Sequence, residues 1–327
     1  MQLKPLLSNR DSSRFATRAE PAPAKAGALG MTLCFLLSVL PNVIWSAPCC
    51  TSSAGAPSLI IANDEAQISL GSRLFSVIGD SYKSSPAIFR APYNKEKTTV
   101  LFVSGAYRLT PRWQIHFDLP FSLRSRSAVA ASSSHESLAD IVSGVAFEAI
   151  EELEYTPWKP RLLVFFDLIF PAGRSVYESR DPLGSDIHGK GFFSGQAGLY
   201  FWKVWDPWDA SLLLSCQQGT SRKFGGTERI NPGNTLFASL NIGFKLLRRL
   251  RMGLGIGPSY DSTIKINGVH QPNSHKLVWN VSADAAVIIS NNWKLNLSYS
   301  DQTLLGPTFN TTLSRGALFS LNRTFEL

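Results

Sequence analysis

The stretch "NNWKLNLSYSD" (291–301) decides the fold. Trp293, Leu295, Leu297 and Tyr299 occupy one set of alternate positions, and Lys294, Asn296, Ser298 and Ser300 occupy the other. Successive side chains of an extended chain point to opposite faces, so this is a strand with one apolar and one polar face. The rest of the chain decides whether the apolar face meets a soluble core or lipid.

The same period of two recurs. "LFASLNIGFKL" (236–246) sets Leu236, Leu240, Ile242 and Phe244 against Ser239, Asn241, Gly243 and Lys245. "LVWNVSADAAVII" (277–289) sets Trp279, Val281 and Ala283 against Asn280, Ser282 and Asp284. "RWQIHFDLPF" (112–121) sets Trp113, Ile115 and Phe117 against Gln114, His116 and Asp118. "RLLVFFDLIF" (161–170) is mixed, because Leu163 and Phe165 share a face with Arg161 and Asp167. No convincing amphipathic helix follows residue 60. The pattern predicts about twelve strands, with ten or fourteen as the alternatives. They fall at 68–78, 97–108, 112–124, 138–151, 161–171, 191–204, 209–219, 235–247, 250–261, 276–289, 293–303 and 313–327. Several exceed the roughly 5–6 residues usual in globular proteins and suit the roughly 9–11 that a tilted strand needs to cross a bilayer.

The connections alternate in length. "TPR" (110–112), "WDPWD" (205–209), "RR" (248–249) and "NNW" (291–293) are tight, and "EYTPWKP" (154–160) is somewhat longer. Between them lie long polar or Gly/Pro-rich segments at 79–96, 125–137, 172–190, 220–234, 262–275 and 304–312. Outer-membrane barrels join short periplasmic turns to longer extracellular loops in this way, whereas a soluble sandwich has no reason to. Trp113, Trp158, Trp202, Trp205, Trp208 and Trp293 lie at or beside the short turns, where an interfacial girdle puts rings with one polar edge. The last segment, "GALFSLNRTFEL" (316–327), is again amphipathic and resembles the assembly signal of such barrels, although it ends in Leu327 and Arg323 interrupts its apolar face. The fold expected is therefore all-β: a transmembrane antiparallel barrel, apolar face to lipid, with every strand edge paired because hydrocarbon requires it.

Bulk properties agree. The chain has 327 residues, 44% hydrophobic, only 17% charged and with a mean hydropathy of +0.00, which fits neither a disordered chain nor a helical membrane protein. Of the formal charge of +8, residues 1–47 hold a net +3 from Lys4, Arg10, Arg14, Arg18 and Lys25 against Asp11 and Glu20, leaving +5. That remainder has no Lys/Arg runs, so a nucleic-acid partner is not expected. "MTLCFLLSVLPNVIW" (31–45) is too short and too Pro-interrupted to span a membrane as a helix. With Lys25 before it and "SAPCCTSSAGA" after it, it reads as a secretory signal peptide. Residues 1–54 are read as leader and signal peptide, and 55–327 as the barrel. Cleavage after Ala54 follows a small-x-small pattern, whereas cleavage after Ala47 puts bulky Trp45 at the wrong position. Cys49-Cys50 raises a lipoprotein reading, against which stands Pro48. After removal of the leader Cys216 is alone, so no disulfide forms within the chain, and no C-x-x-C metal spacing exists.

On this register the polar faces carry His116, Asp118, Asp140, Glu148, Arg161, Asp167, Lys203, Lys245, Arg251, Asp284 and Lys294 into the lumen. Both signs occur in similar numbers, so no strong ion selectivity follows. Alternatively the charges pair across a closed lumen and only stabilise the wall. Loop 172–190, "AGRSVYESRDPLGSDIHGK", is expected to be a solvated surface loop, with an inward constriction as the alternative. "GLGIGP" (253–258) reads as close backbone packing in the wall. A hydrolase reading would use His135 in "SSSHES" (132–137) with Ser137, but neighbours on one loop do not converge as a triad does. No G-x-S-x-G, H-E-x-x-H or phosphate-cradling glycine loop is present. The expectation is a channel or transporter, not an enzyme, with no catalytic residue, metal or cofactor. A closed structural or adhesin-like barrel is the alternative. The partners expected are outer-membrane lipids, small solutes, periplasmic chaperones and the barrel-assembly machinery.

From about residue 138 onward the chain resembles an outer-membrane family named for the MetA-pathway of phenol degradation. The likeness rests on "SLADIVSGVAFEAI" (137–150), "FDLIFPAGRS" (166–175), "WKVWDPWDASLLLS" (202–215) and "NPGNTLFASLNIGFKL" (231–246). Ser137-Leu138-Ala139 stands where the family has glycines, and Ala172 where it has Thr. The resemblance implies an outer-membrane barrel that moves small, often aromatic or apolar, compounds, and it brings no catalytic residues.

Overall fold

The computed structural model describes residues 57–61, 64–82, 87–152, 154–226 and 228–326. The expected leader and its cleavage site lie outside the described residues.

Twelve long strands form the wall. They are β1 (Ala66–Ser81), β2 (Lys95–Arg108), β3 (Trp113–Ser127), β4 (Ile141–Ile150), β5 (Arg161–Phe170) and β6 (Ser194–Trp205), followed by β7 (Trp208–Gly219), β8 (Asn234–Leu247), β9 (Leu250–Asp261), β10 (Lys276–Ser290), β11 (Trp293–Asp301) and β12 (Thr311–Phe325). Each pairs antiparallel with its sequence neighbours. β12 returns to β1 over a long register that includes Ile68–Arg323, Leu70–Leu321 and Leu74–Ala317, so the barrel is closed. Closure leaves no row of unpaired N–H and C=O groups, the condition for a sheet in hydrocarbon. The expected strand count and the alternation of short turns with long connections both hold.

The barrel is inside-out relative to a soluble protein, which answers the question raised by 291–301. Leu297 and Tyr299 are 43% and 48% exposed, while Lys294 and Asn296 on the alternate positions are each 8% exposed and face inward. The same inversion runs around the wall: Leu70, Leu101, Ile115, Leu240, Leu254 and Phe319 are exposed, whereas Ser69, Ser104, Ser122, Asn241, Ser282 and Asn322 are buried. In water such an apolar surface would drive association; against lipid it is the favourable face.

At the short-turn end aromatic rings gather on the outer face. Trp113 packs on Phe147 with centroids 4.9 Å apart, and Trp208 on Phe244 at 4.7 Å. Arg323 lies over the rings of Trp293 and Phe325 at 5.4 and 4.8 Å, so the cation that interrupts the last strand's apolar face sits on aromatic faces. Trp202 departs from the expected girdle. It is buried and points into the lumen, for a reason given below.

At the long-loop end two additions depart from the expected loops. Ser132–Leu138 folds back on the outer part of β3, pairing Ser132 with Ser127 and Leu138 with Phe121. Four short strands (Arg222–Phe224, Glu228–Asn231, Lys265–Ile266 and Val269–His270) form a separate sheet from two of the long connections. Beneath it Phe224, Ile230 and Phe192 make a small apolar core. The β8–β9 pairing passes from Phe237–Ser259 to Leu240–Ile256 across Pro258, which has no N–H to give the ladder. An outward-facing groove of about 580 Å³ lies there, with exposed Cys216 among its lining residues.

Candidate functional site

The lumen is the candidate site, and its most informative occupant comes from the chain itself. Leu59, Ile60 and Ile61 are buried at 2%, 2% and 4% exposure. Ile60 donates its N–H to Gln114 Oε1 (2.7 Å) and accepts from Gln114 Nε2 at its own carbonyl (3.2 Å). Gln114 is on the inward face of β3, so the segment lies inside the barrel. Leu59 and Ile61 pack with Ala146, Leu163, Phe165, Tyr200, Trp202 and Leu213 from β4 to β7. This explains the mixed pattern of 161–170. Leu163 and Phe165 share the inward face with Arg161 and Asp167 because an apolar peptide sits opposite them.

The inward charges meet as pairs. His116 Nε2 lies 2.6 Å from Asp167 Oδ1, both side chains almost wholly buried. They lie over Gly144: a Cβ there would be 2.1 Å from Asp167 Oδ1 and 2.6 Å from His116 Nε2, so no other residue fits. Arg161 bonds Glu148 near the short-turn end. Arg251 holds Asp209 through two bonds of 2.7 and 2.6 Å and Asp284 through one of 2.7 Å, tying β7, β9 and β10 together along the inner face of the wall. Gly243 makes room for the Arg251 guanidinium, and the glycines of 253–258 for its neighbours. A Cβ on Gly253 would fall 2.6 Å from Asp284 Oδ1, and one on Gly255 would fall 2.1 Å from Asn241 Oδ1. Arg73 approaches Asp118 at 3.7 Å while lying over the Phe102 ring at 4.3 Å. Breaking one partner of such buried pairs leaves an uncompensated charge, so they fix the wall's shape.

The long-loop end carries a second constriction, and here the surface-loop expectation is corrected. Loop 172–190 folds inward, with Ser175, Ser185 and Asp186 buried. Arg124 and Arg126, on the inward face of β3, donate to the carbonyls of Ile187 (2.8 Å) and Leu183 (2.6 Å). Both are also bonded to buried Glu96, as is Arg90. Asp140 accepts the N–H groups of Gly173 (3.2 Å) and Lys190 (2.7 Å), so it anchors this loop rather than lining the middle of the lumen. Within the loop Asp186 accepts from Arg174 (2.8 Å), Ser179 (2.5 Å) and the Arg180 N–H (2.8 Å). Burial pushes the Asp186 carboxyl up, but these bonds outweigh it and hold it well below the usual range. The Ser133 hydroxyl and the Ser185 N–H bring Asp181 down to about 2. Charge and polarity in the sequence suggested solvent; the same groups instead satisfy one another and the mouth of the barrel.

Of the other expected lumen residues, Lys294 is buried on the inward face, and Lys245 sits at the short-turn rim, 2.9 Å from Asp206. Lys203 is corrected: it lies on the outward parity of β6, and its ammonium bonds Glu152 and the Thr156 carbonyl of the adjoining turn. His135 meets Ser185 at 2.6 Å rather than Ser137, and Ser185 is fully buried, so the pair offers no accessible nucleophile. Sequence reasoning missed residues 57–61, Gln114, Glu96, Arg124 and Arg126. The signal available was the apolar pair inside 161–170, which needed an apolar partner within the lumen.

Among solved structures the fold is similar to the COG4313 outer membrane channel from Pseudomonas putida F1, with a TM-score of 0.67 at 16% identity over 84% of this chain and 99% of that one. The translocator domain of the autotransporter NalP from Neisseria meningitidis (TM-score 0.48, 10% identity, 81% of this chain, 90% of that one) is more distant. No curated protein sequence matches the chain. A family model described as "Putative MetA-pathway of phenol degradation" matches residues 75–303, from within β1 to just beyond β11. With more than half its length so matched, the chain belongs to that family.

Proposed function

We propose that the protein is a passive outer-membrane channel for small solutes, aromatic or apolar ones included. It reaches the membrane through a leader removed after Ala54 and is folded by periplasmic chaperones and the barrel-assembly machinery. The observation that carries this reading is the lumen. It combines a polar, pair-compensated wall with one apolar patch (Leu163, Phe165, Tyr200, Trp202 and Leu213), and that patch is covered by a short chain segment rather than by the wall itself. A barrel with only a structural role has no reason to keep an apolar surface in its interior under a separate peptide. On this reading the short turns face the periplasm and the long loops the exterior. The inward groups His116, Asp118, Glu148, Arg161, Asp167, Arg251, Asp284 and Lys294 line the path, with Lys245 at its rim and Asp140 at its outer mouth. Membership of the family and the likeness to an outer membrane channel support this reading.

The test is solute entry into liposomes holding the refolded chain, with phenolic compounds among the solutes. The expected result is flux above that of empty liposomes, altered by His116→Ala or Asp284→Asn. No flux from a heat-modifiable, folded barrel would instead leave a closed structural or surface-binding role.

A further inference from the structure

At the long-loop end a cavity of about 230 Å³ lies between the rim of the wall and the inward-folded loops. One side is a cross-strand row on the inner face of the wall. Gln217 pairs with Thr235, Thr235 with Asp261 and Asp261 with Lys276, on β7 to β10. The other side is apolar: Tyr177, Ile187, Phe192 and Ile264. Tyr177 and Phe192 belong to a three-ring cluster with Phe224, their centroids 5.0–6.0 Å apart, so this side is rigid.

The charges of this cavity are less closely paired than those of the lumen. Lys190 reaches from the loop to the neutral oxygens of Gln217 (3.2 Å) and Thr235 (3.5 Å) and to no carboxylate. Asp140 takes the backbone N–H of Lys190 and feels its ammonium only at a distance, without a bond to it. The Lys276 ammonium, opposite Asp261 in the ladder, has no side-chain hydrogen-bond or ion-pair partner among the described residues. The one carboxylate of the lining, Asp261, accepts the Thr235 hydroxyl at 2.6 Å. Two ammonium groups, one acid and a wall of aromatic and branched side chains thus face one small space.

We propose that this cavity captures a monocyclic aromatic carboxylate at the mouth of the channel, the ring against Tyr177, Phe192 and Ile264 and the anion between Lys190 and Lys276. Size limits the ligand. A dry cavity of roughly 150 Å³ holds one benzene ring, so this one takes a ring with one small polar substituent and not a bicyclic compound. Charge selects within that class, because an anion exchanges water for two ammonium donors while a neutral isostere does not. The proposal rests on the channel reading for its purpose, but not for the binding itself.

The experiment measures binding of benzoate and of its neutral isostere benzyl alcohol to the barrel in nanodiscs by calorimetry, beside liposome flux of benzyl alcohol. Benzoate is expected to bind more tightly than benzyl alcohol. The exposed Lys190→Gln/Lys276→Gln double variant should weaken benzoate about tenfold or more and leave benzyl alcohol unchanged. Lys276→Glu alone, which leaves the loop's own bonds untouched, should weaken benzoate in the same direction. Equal binding of the two compounds, or undiminished benzoate binding by the heat-modifiable double variant, overturns the proposal. Flux without benzoate preference removes this inference and keeps the channel. Benzoate preference without flux keeps this site and removes the channel.

Discussion

Replacing Leu59 with Ala should open the lumen, and the size of the effect follows from how the segment is held. Three apolar side chains, Leu59, Ile60 and Ile61, are withdrawn from water. At about 1.5–3 kcal/mol each this contributes roughly 5–9 kcal/mol. The two bonds to Gln114 add about 1–3 kcal/mol. Ordering five residues and their apolar side chains costs about 6–13 kcal/mol. The terms nearly cancel, so the docked segment is held by at most a few kcal/mol, which is what a movable closure requires. Leu→Ala at a packed site costs about 2–5 kcal/mol, and the lower figure already shifts the docked-to-released ratio about thirtyfold. Single-channel recording in planar bilayers reads this shift directly as time spent in the higher-conductance state. Leu59→Ala should lengthen that time, and Gln114→Ala should act in the same direction. Leu59→Ala with Leu213→Ala should be non-additive, because the two side chains share one cluster. A Leu59→Ala barrel that is folded yet has the conductance distribution of the natural chain would refute the reasoning.

Other predictions follow from the second constriction and the lumen. Glu96→Gln removes the negative charge shared by Arg90, Arg124 and Arg126 and should cost about 3 kcal/mol or more at that end, read as faster proteolysis within 172–190. His188 lies in that loop, where burial and then Arg124 lower its pKa, so the docked loop favours the neutral ring. A released loop therefore binds the proton more readily: docking is at full strength above the ordinary histidine pKa of about 6.5 and weakens as pH falls below it. The protection of 172–190 against hydrogen exchange, corrected for the intrinsic pH dependence of amide exchange, should fall between pH 7 and pH 5, and His188→Gln should remove that fall. Gly144→Val puts side-chain atoms where the His116–Asp167 pair lies and should destabilise the barrel by about 1–3 kcal/mol or more in urea. Mass spectrometry of the exported chain should find Gly55 as its first residue.

Much of the fold was legible because a membrane barrel writes the same rule on every strand. Period-two alternation, long strands and alternating loop lengths are local signals, and 291–301 carries the first of them in eleven residues. What stayed hidden depends on chain segments far apart meeting in space. Loop 172–190 has the composition of any exposed loop, and only the folded barrel brings Arg124 and Arg126 to its carbonyls. Trp202 sits beside a short turn as a girdle residue does, yet its parity on β6 points it inward to the docked segment. Lys203, next to it, points outward for the same reason. The pairs Arg251–Asp284 and His116–Asp167 were legible as inward residues but not as partners, since register across several strands is needed to bring them together.

The two constrictions differ in kind, and the difference predicts which of them a solute displaces. Loop 172–190 is held by charge-assisted bonds from Arg124 and Arg126, themselves paired with Glu96, and to Asp140, for which an apolar molecule offers no substitute. Residues 57–61 are held mainly by burial against Leu163, Phe165, Tyr200 and Leu213, and an apolar ring can occupy that same surface. A solute that binds the released state and not the docked one shifts the equilibrium by mass action, in proportion to its concentration over its dissociation constant. Benzyl alcohol should therefore speed deuterium uptake at Leu59–Ile61 in a dose-dependent way while 172–190 stays protected, and sucrose should do neither. If both segments loosen together, or the loop alone, the inner segment is not the element that solutes displace. The channel would then open at its mouth.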